Sequence, residues 1–457
     1  MLQHRRTRFP VFGLALIALS FSGQVIAQES KTPAPAPDPS SAQEPRAPSY
    51  NVPVPSSVSG TPQFEWNTAP EGIPPALTDA ITIVTAKDPS ALAAWAGTRG
   101  ARADVKGALW LRYPSLTTDL SLTNATDKVA PSVVVEVPLW AGGQISSTIQ
   151  RARRLESASL ARWHETVVNL ALQVNETYYA IVLYTRLERL YQESLKEHED
   201  LVASMQRRVD QEVSPLVDLE LVRSRKAQIE QELTSISAQR QTALQNLAEL
   251  VRDPSYNLGP VPEFGAAMLA ADWTGAVTQA LEYSPSRAKL IFEADALRSE
   301  IAVTRGGILP RVSAQYSYNE ITGSRVGIGL RFQAQNGLSQ LSAVSSATAK
   351  YDQSLDQIRL AERQIRQEIA NDIVTYEAAT RRAQASRSAA STAQRVSASY
   401  MRQFIAGRRS WLDVMNSLRE NLSASSGLAQ AEVGAMSAAT RLYLLSGRWR
   451  PTLSNSK

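Results

Sequence analysis

The chain has 457 residues, room for two or three ordinary domains, and a hydrophobic content of 43% that is enough for folding. It contains no cysteine, which excludes disulfides, thiolate metal sites and an acylated lipoprotein N-terminus. The formal net charge of +5 falls to +2 when a leader with three arginines and no acids is removed, which leaves no electrostatic case for nucleic acid.

Residues 1–27 carry Arg5, Arg6 and Arg8, an apolar run from Val11 to Phe21 and a small-residue exit at Ala27, the pattern of a secretory signal peptide. The apolar run is shorter than the ~18 residues a membrane-spanning helix needs. From Gln28 to Pro75 the chain holds twelve of its 24 prolines among Ala, Ser and Thr. Such a stretch has little to bury and is expected to be a disordered linker or tether over 28–75.

The remainder can be laid out twice. Thr78, Ala80 and Ile81 match Thr274, Ala276 and Val277, Pro89 matches Pro285 and Pro114 matches Pro310, all at an offset of 196. Leu216, Asp218 and Leu219 match Trp411, Asp413 and Val414 at an offset of 195. The repeats are expected over 76–252 and 273–447, with a linker at 253–272 and a tail at 448–457. Each reads as helix, two strands, long helix, turn and return helix.

In the first repeat a helix is expected over Ala76–Leu111, followed by strands around Leu116–Leu122 and Val133–Leu139. Trp140, Gly142 and Gly143 then break the strand and start a stretch to Val209 without proline or further glycine. Its apolar positions thread through Leu160, Trp163, Val167, Leu170, Val174, Tyr178, Ile181, Tyr184, Leu187, Tyr191, Leu195, His198, Val202, Met205 and Val209 at a mean step of 3.5 residues over 49. That period means helix packed along helix, in an element roughly 100 Å long. The turn at Glu212–Pro215 leads to a return helix over Leu216–Val251. The second repeat offers strands at Val312–Tyr318 and Val326–Phe332, a long helix to Phe404, a turn at Gly407–Ser410 and a return helix from Trp411 to Ser446.

The four strands alternate. Leu116, Thr118, Leu120 and Leu122 fall on one face of the first and Thr117, Asp119 and Ser121 on the other. The opposite faces of the other strands hold Glu136, Gln315 and Arg331. This alternation fits a half-buried soluble hairpin, and it fits the wall of a transmembrane β-barrel whose lumen is lined by Asp119, Glu136, Gln315 and Arg331. The leader, the interface candidates Trp140, Tyr316, Tyr318 and Phe332, and the lack of a spanning helix favour the barrel. Four strands cannot close in lipid. Three copies would supply twelve strands and twelve helical rods, so the expected fold is mainly α, with a homotrimeric 12-stranded β-barrel continuing into a long α-helical barrel.

No enzyme chemistry is legible and no cofactor or metal is expected. His164 and His198 form no ligand pair, and His198 lies on the packing seam. Gly327 and Gly329 alternate inside a strand, and no Gly-Lys-Ser/Thr follows them.

Val137–Gly143 at the strand-to-helix junction, Gly407–Val414 at the second turn and the duplicated element order together resemble the TolC family of outer-membrane channels, over about residues 76–450. The resemblance implies a passive exit duct reaching from the outer membrane across the periplasm. Its partners would be outer-membrane lipids, a periplasmic adaptor, an inner-membrane transporter of ABC type and an exported protein or small molecule. The second turn and the Val326–Phe332 strand are most similar to the branch that exports large adhesins by type I secretion; a small-molecule or multidrug efflux pump is the alternative. A periplasmic adaptor, the reading from another class, would carry one hairpin rather than two. The working end would be the turns, with Glu212, Pro215, Asp218, Gly407, Arg408, Arg409, Trp411 and Asp413 docking the adaptor, Asp218 and Asp413 capping the return helices or holding the turns. Glu212 stands where the second turn has Gly407, with Pro215 beside it, so the first turn is expected to depart from the family geometry. The resemblance does not account for the Pro-rich segment.

Overall fold

The computed structural model describes residues 64–123, 128–254, 256, 258–265, 272–319, 323–332 and 339–453. The expected leader and the Pro-rich stretch as far as residue 63 lie outside the described residues.

The single helix expected over 76–111 is two, α1 (Pro75–Lys87) and α2 (Pro89–Trp110). Proline at the first helical position forces the preceding residue into extended backbone, and Asp88, at φ −65° and ψ 134°, then caps α2 by accepting the Ser90 N–H at 2.7 Å. After strands β2 (Ser115–Thr123) and β3 (Lys128–Trp140) come the long α3 (Gln144–Asp210) and the return helix α4 (Leu216–Val251). The second repeat breaks its first helix at the matching proline, giving α5 (Ala276–Tyr283) and α6 (Pro285–Gly306) with Ser284 as the cap. It continues through β4 (Arg311–Asn319), β5 (Gly323–Arg331), α7 (Ser339–Ile405) and α8 (Trp411–Leu445).

α3 and α7 are both 67 residues long, roughly 100 Å at 1.5 Å per residue. They pack differently. Among the described side chains α7 buries Ile369, Tyr376, Ala383, Ala390, Ser397 and Phe404, one in seven, the spacing of a left-handed seam; it packs along α8, with α5 and α6 also against it. α3 buries the threaded Trp163, Val174 and Met205 and also a second row that includes Ala158, Val168, Tyr179 and Leu201. It has neighbours on two sides: α2 and α6 beside its N-terminal half, α4 and α8 beside its C-terminal half. Ion pairs from Arg151 to Glu300 and from Lys289 to Glu165 tie it to α6, and a pair from Arg240 to Glu188 ties it to α4. Glu432 on α8 bridges Arg186 of α3 and Arg387 of α7, each at 2.8 Å.

The ends of the described chain meet. Phe64–Trp66, inside the stretch expected to be a disordered linker, form β1, which pairs antiparallel with β6 (Pro451–Leu453) in the expected tail. The aromatic residues account for this order. Trp66 stacks on the fully buried Trp449 at 5.3 Å, Phe64 meets Trp163 at 5.3 Å, and the Asn67 side chain both donates to the Arg448 carbonyl and accepts from the Arg450 N–H. The largest apolar cluster gathers here, with Leu77, Ile81, Val174, Tyr178 and Leu247.

Among the described residues no helix is long and apolar enough to cross a membrane.

Candidate functional site: the strand sheet and the hairpin tips

The strands of the two repeats join into one antiparallel sheet in the order β2-β3-β4-β5. Directly opposed residues share a face, and the register puts Leu116 opposite Val135, Val135 opposite Tyr316 and Tyr316 opposite Val326. Leu120, Val133, Tyr318, Ile328 and Leu330 fall on that same apolar face. It is bare: Leu120 is 73% exposed and Val326 84%. A soluble half-buried hairpin would cover this face, and nothing among the described residues does.

Asp119, Glu136, Gln315 and Arg331 lie together on the opposite, polar face, since Ser115 pairs with Glu136, Glu136 with Gln315, Gln315 with Gly327 and Arg311 with Arg331. Only one of these contacts is ionic, a loose 3.8 Å approach of Arg331 to Glu136. The register of β3 shifts between Pro138 and Trp140. Leu139 is the extra residue of this bulge, and the shift turns Trp140 from the polar face onto the apolar one, opposite Val312. Trp110, Leu111 and Tyr113, just before β2, are also exposed, and Trp110 packs on Tyr113 at 5.0 Å. Sequence reasoning placed Trp110 and Leu111 inside a helix and missed them; an aromatic pair at a helix end before a strand was the available signal.

Where strand turns into helix, two glycines bring the repeats into backbone contact. Gly142 has φ +57°, and a Cβ on Gly306 would stand 2.9 Å from the Gly142 carbonyl and 3.0 Å from the Gln144 nitrogen.

At the far ends of the long helices the two turns are alike. The Glu212 N–H donates to the Val209 carbonyl at 2.9 Å and the Val213 N–H to that of Arg208 at 2.8 Å; Gly407 to Phe404 and Arg408 to Gln403 repeat these bonds at 2.9 and 2.8 Å. Both are Schellman endings with a left-handed residue at the same position, Glu212 at φ 57° and Gly407 at φ 71°. The two turns share one backbone because Glu212 adopts the conformation that glycine takes in the second. One side-chain contact is kept with its roles exchanged: Arg208 donates to Ser214, whereas at the matching positions Gln403 accepts from Arg409.

The return helices start on Pro215 and Ser410, and only Ser410 caps with its side chain, accepting the Leu412 N–H at 3.2 Å. Asp218 and Asp413 sit inside the first turn, near the positive end of the helix dipole, with Asp413 3.5 Å from Arg409. Arg409 also lies over the Tyr400 ring at 4.2 Å. The Arg408 side chain is exposed and makes no hydrogen bond or ion pair among the described residues. Trp411 is half-buried against a cluster that both tips share, with Leu201, Met205, Leu219, Phe404, Val414 and Leu418. The exposed apolar residues at the tips are Val213, Leu216, Val217, Ile405 and Leu412. They lie off the packing seam, and that break in period was their signal in the sequence.

Among the described residues no cluster of His, Asp or Glu could hold a metal ion. The model of the outer membrane efflux protein family matches residues 81–251. No curated protein matches the chain in sequence. Among solved structures the chain is similar to the outer-membrane channel OprN, at 17% identity and TM-score 0.73, over 85% of this chain and 97% of that one. It is similar also to the outer membrane protein VceC of Vibrio cholerae, at 17% identity and TM-score 0.71 over 81% and 96% of the two chains. The CmeC outer membrane channel of Campylobacter jejuni matches at 12% identity and TM-score 0.68, over 89% and 95%. The first repeat is thus matched by the model of the outer membrane efflux protein family, and both repeats fold as in these outer-membrane channels.

Proposed function

We propose that the chain is one subunit of a trimeric, passive exit duct whose strands share a 12-stranded barrel and whose helices continue it through the periplasm. The observation that carries this reading is the β2-β3-β4-β5 sheet, with one bare apolar face, one polar face and free edges at β2 and β5. In lipid those edges need strand partners, and three four-stranded sheets supply twelve strands. Asp119, Glu136, Gln315 and Arg331 then line the lumen. The tips, with exposed Arg408 and the apolar Val213, Val217, Ile405 and Leu412, form the surface that docks a periplasmic adaptor coupled to an inner-membrane ABC-type transporter.

Our reading of the cargo is a large adhesin delivered by type I secretion, supported by the likeness of the Gly407–Val414 tip and the Val326–Phe332 strand to that branch. The name of the matched family, an efflux protein family, supports small-molecule efflux as a second reading. Cross-linking and mass measurement in mild detergent test the assembly: a trimer is expected, and a monomer that still inserts into membranes would overturn it. For the cargo, loss of surface adhesin on deletion supports secretion, and drug hypersensitivity with adhesin unchanged supports efflux.

A further inference from the structure

At the helix-proximal end of the strands, Arg311 opens β4 and Arg331 closes β5, and the register sets them directly opposite each other on the polar face. Like charges so placed repel and cost stability unless a counter-charge or a ligand offsets them. The chain offsets them only in part. Arg311 donates to the Gln144 side chain, a neutral acceptor. Glu136 stands 3.8 Å from Arg331, whose side chain remains 57% exposed. Gly327 and Gly329 keep the neighbouring surface clear: a Cβ on Gly327 would meet nothing within 4 Å, and one on Gly329 only the Gln315 side chain. Three layers further along the face, Arg325 opposes Ser317 with no acid across from it.

We propose that Arg311 and Arg331 form an anion-binding girdle at the periplasmic mouth of the barrel lumen, selecting carboxylate- or phosphate-bearing cargo over cations. The proposal rests on the barrel reading above. Two guanidinium groups per chain become six in a trimer, arranged as a ring inside low-dielectric walls, where one sign of charge focuses the field and concentrates counter-ions. Rings of Arg or Lys are how pores favour anions. Glu136 then moderates the ring, holding one arginine of each pair part of the time.

The test uses the full-length protein reconstituted in planar lipid bilayers, with inositol hexaphosphate added on the side facing the barrel so that it reaches the girdle without passing the helical tips. A salt gradient should give a reversal potential on the anion side, and the hexaphosphate should block the current. Arg311→Gln with Arg331→Gln should weaken block about tenfold and move the reversal potential toward cations, while the double Lys variant, which keeps the charge, should retain both properties. Glu136→Gln should tighten block about threefold, an arm that removes no arginine and survives if the double Gln variant fails to fold. Open channels with cation preference and no block in the wild type, or equal block in the Gln variant, would overturn the girdle and leave the barrel standing. Folded trimers that carry no ion current would overturn the barrel and the girdle with it.

Discussion

Replacing Gly407 with Ala and Glu212 with Gly should change the two tips in opposite directions by about the same amount. An L side chain in left-handed backbone costs ~1–2 kcal/mol relative to glycine. Nothing lies within 4 Å of a Cβ built on Gly407, so no steric cost adds to this. Alanine also narrows the unfolded ensemble, which returns ~0.4–1 kcal/mol. The net for Gly407→Ala is about 1 kcal/mol, or a factor of about 5 in the local opening constant. For Glu212→Gly the same contributions apply with reversed sign, and that tip should close by a similar factor. Peptide-resolved hydrogen exchange reads the difference at the reporter amides, Arg408 bonded to Gln403 and Val213 bonded to Arg208, both at 2.8 Å, after correction for intrinsic rates. The wild type should already exchange faster at Val213. Unchanged protection in Gly407→Ala, or faster exchange in Glu212→Gly, would refute the reasoning and mean that the shared apolar cluster, rather than the turn backbone, sets tip stability.

Glu432→Ala should lower stability by about 3 kcal/mol per chain, because it leaves the Arg186 guanidinium, 13% exposed, with the neutral Pro262 carbonyl in place of a counter-charge; Arg387→Ala, at the 61% exposed partner, should cost under ~0.5 kcal/mol, both read from the melting temperature of the detergent-solubilised protein. Gly306→Ala forces a side chain into the Gly142 and Gln144 backbone and should sharply reduce folded yield in the outer membrane, whereas Gly427→Ala, with open space around it, should be neutral or stabilising. Arg408→Glu should abolish export with membrane insertion normal, measured by cargo release from cells; Arg409→Glu should in addition loosen the turn, since it breaks contacts to Asp413 and Tyr400. Burial pushes the His164 imidazole down to about 4, so its neutral form is favoured in the folded state. Its contribution is complete above about pH 6.5 and is lost as pH falls toward 4, and His164→Gln should flatten acid destabilisation in that window.

Much of the architecture was legible because it is periodic. A duplication at a fixed offset, a long seam in α3 and alternation in four strands are all repeats, and a repeat survives local noise. Single-residue events were not legible. The break at Asp88 escaped because an apolar pattern runs through it on both sides, although Pro89 and Pro285 had been aligned. The Leu139 bulge escaped because alternation cannot reveal one inserted residue until a partner strand fixes the register. β1 and β6 are three residues each, and what orders them, Trp66 on Trp449, is a contact between opposite ends of the chain. At the tips the residue types were visible, yet the sequence could not separate Trp411, folded back onto the shared cluster, from Leu412, which faces outward.

The pairing of β1 with β6 also orders events in biogenesis. The hydroxyl of Thr452 donates to the carbonyl of Glu65 across 387 positions of chain, and joining such distant points in an unstructured polymer costs about 5 kcal/mol beyond a constant. Three residues of strand cannot meet that cost, so the helices must first bring the two points together. The clasp therefore closes late, after the helices on either side of it have packed. A chain cut short before Trp449 would leave the Trp66 indole uncovered, a mark by which proteases and chaperones would tell such copies from folded ones.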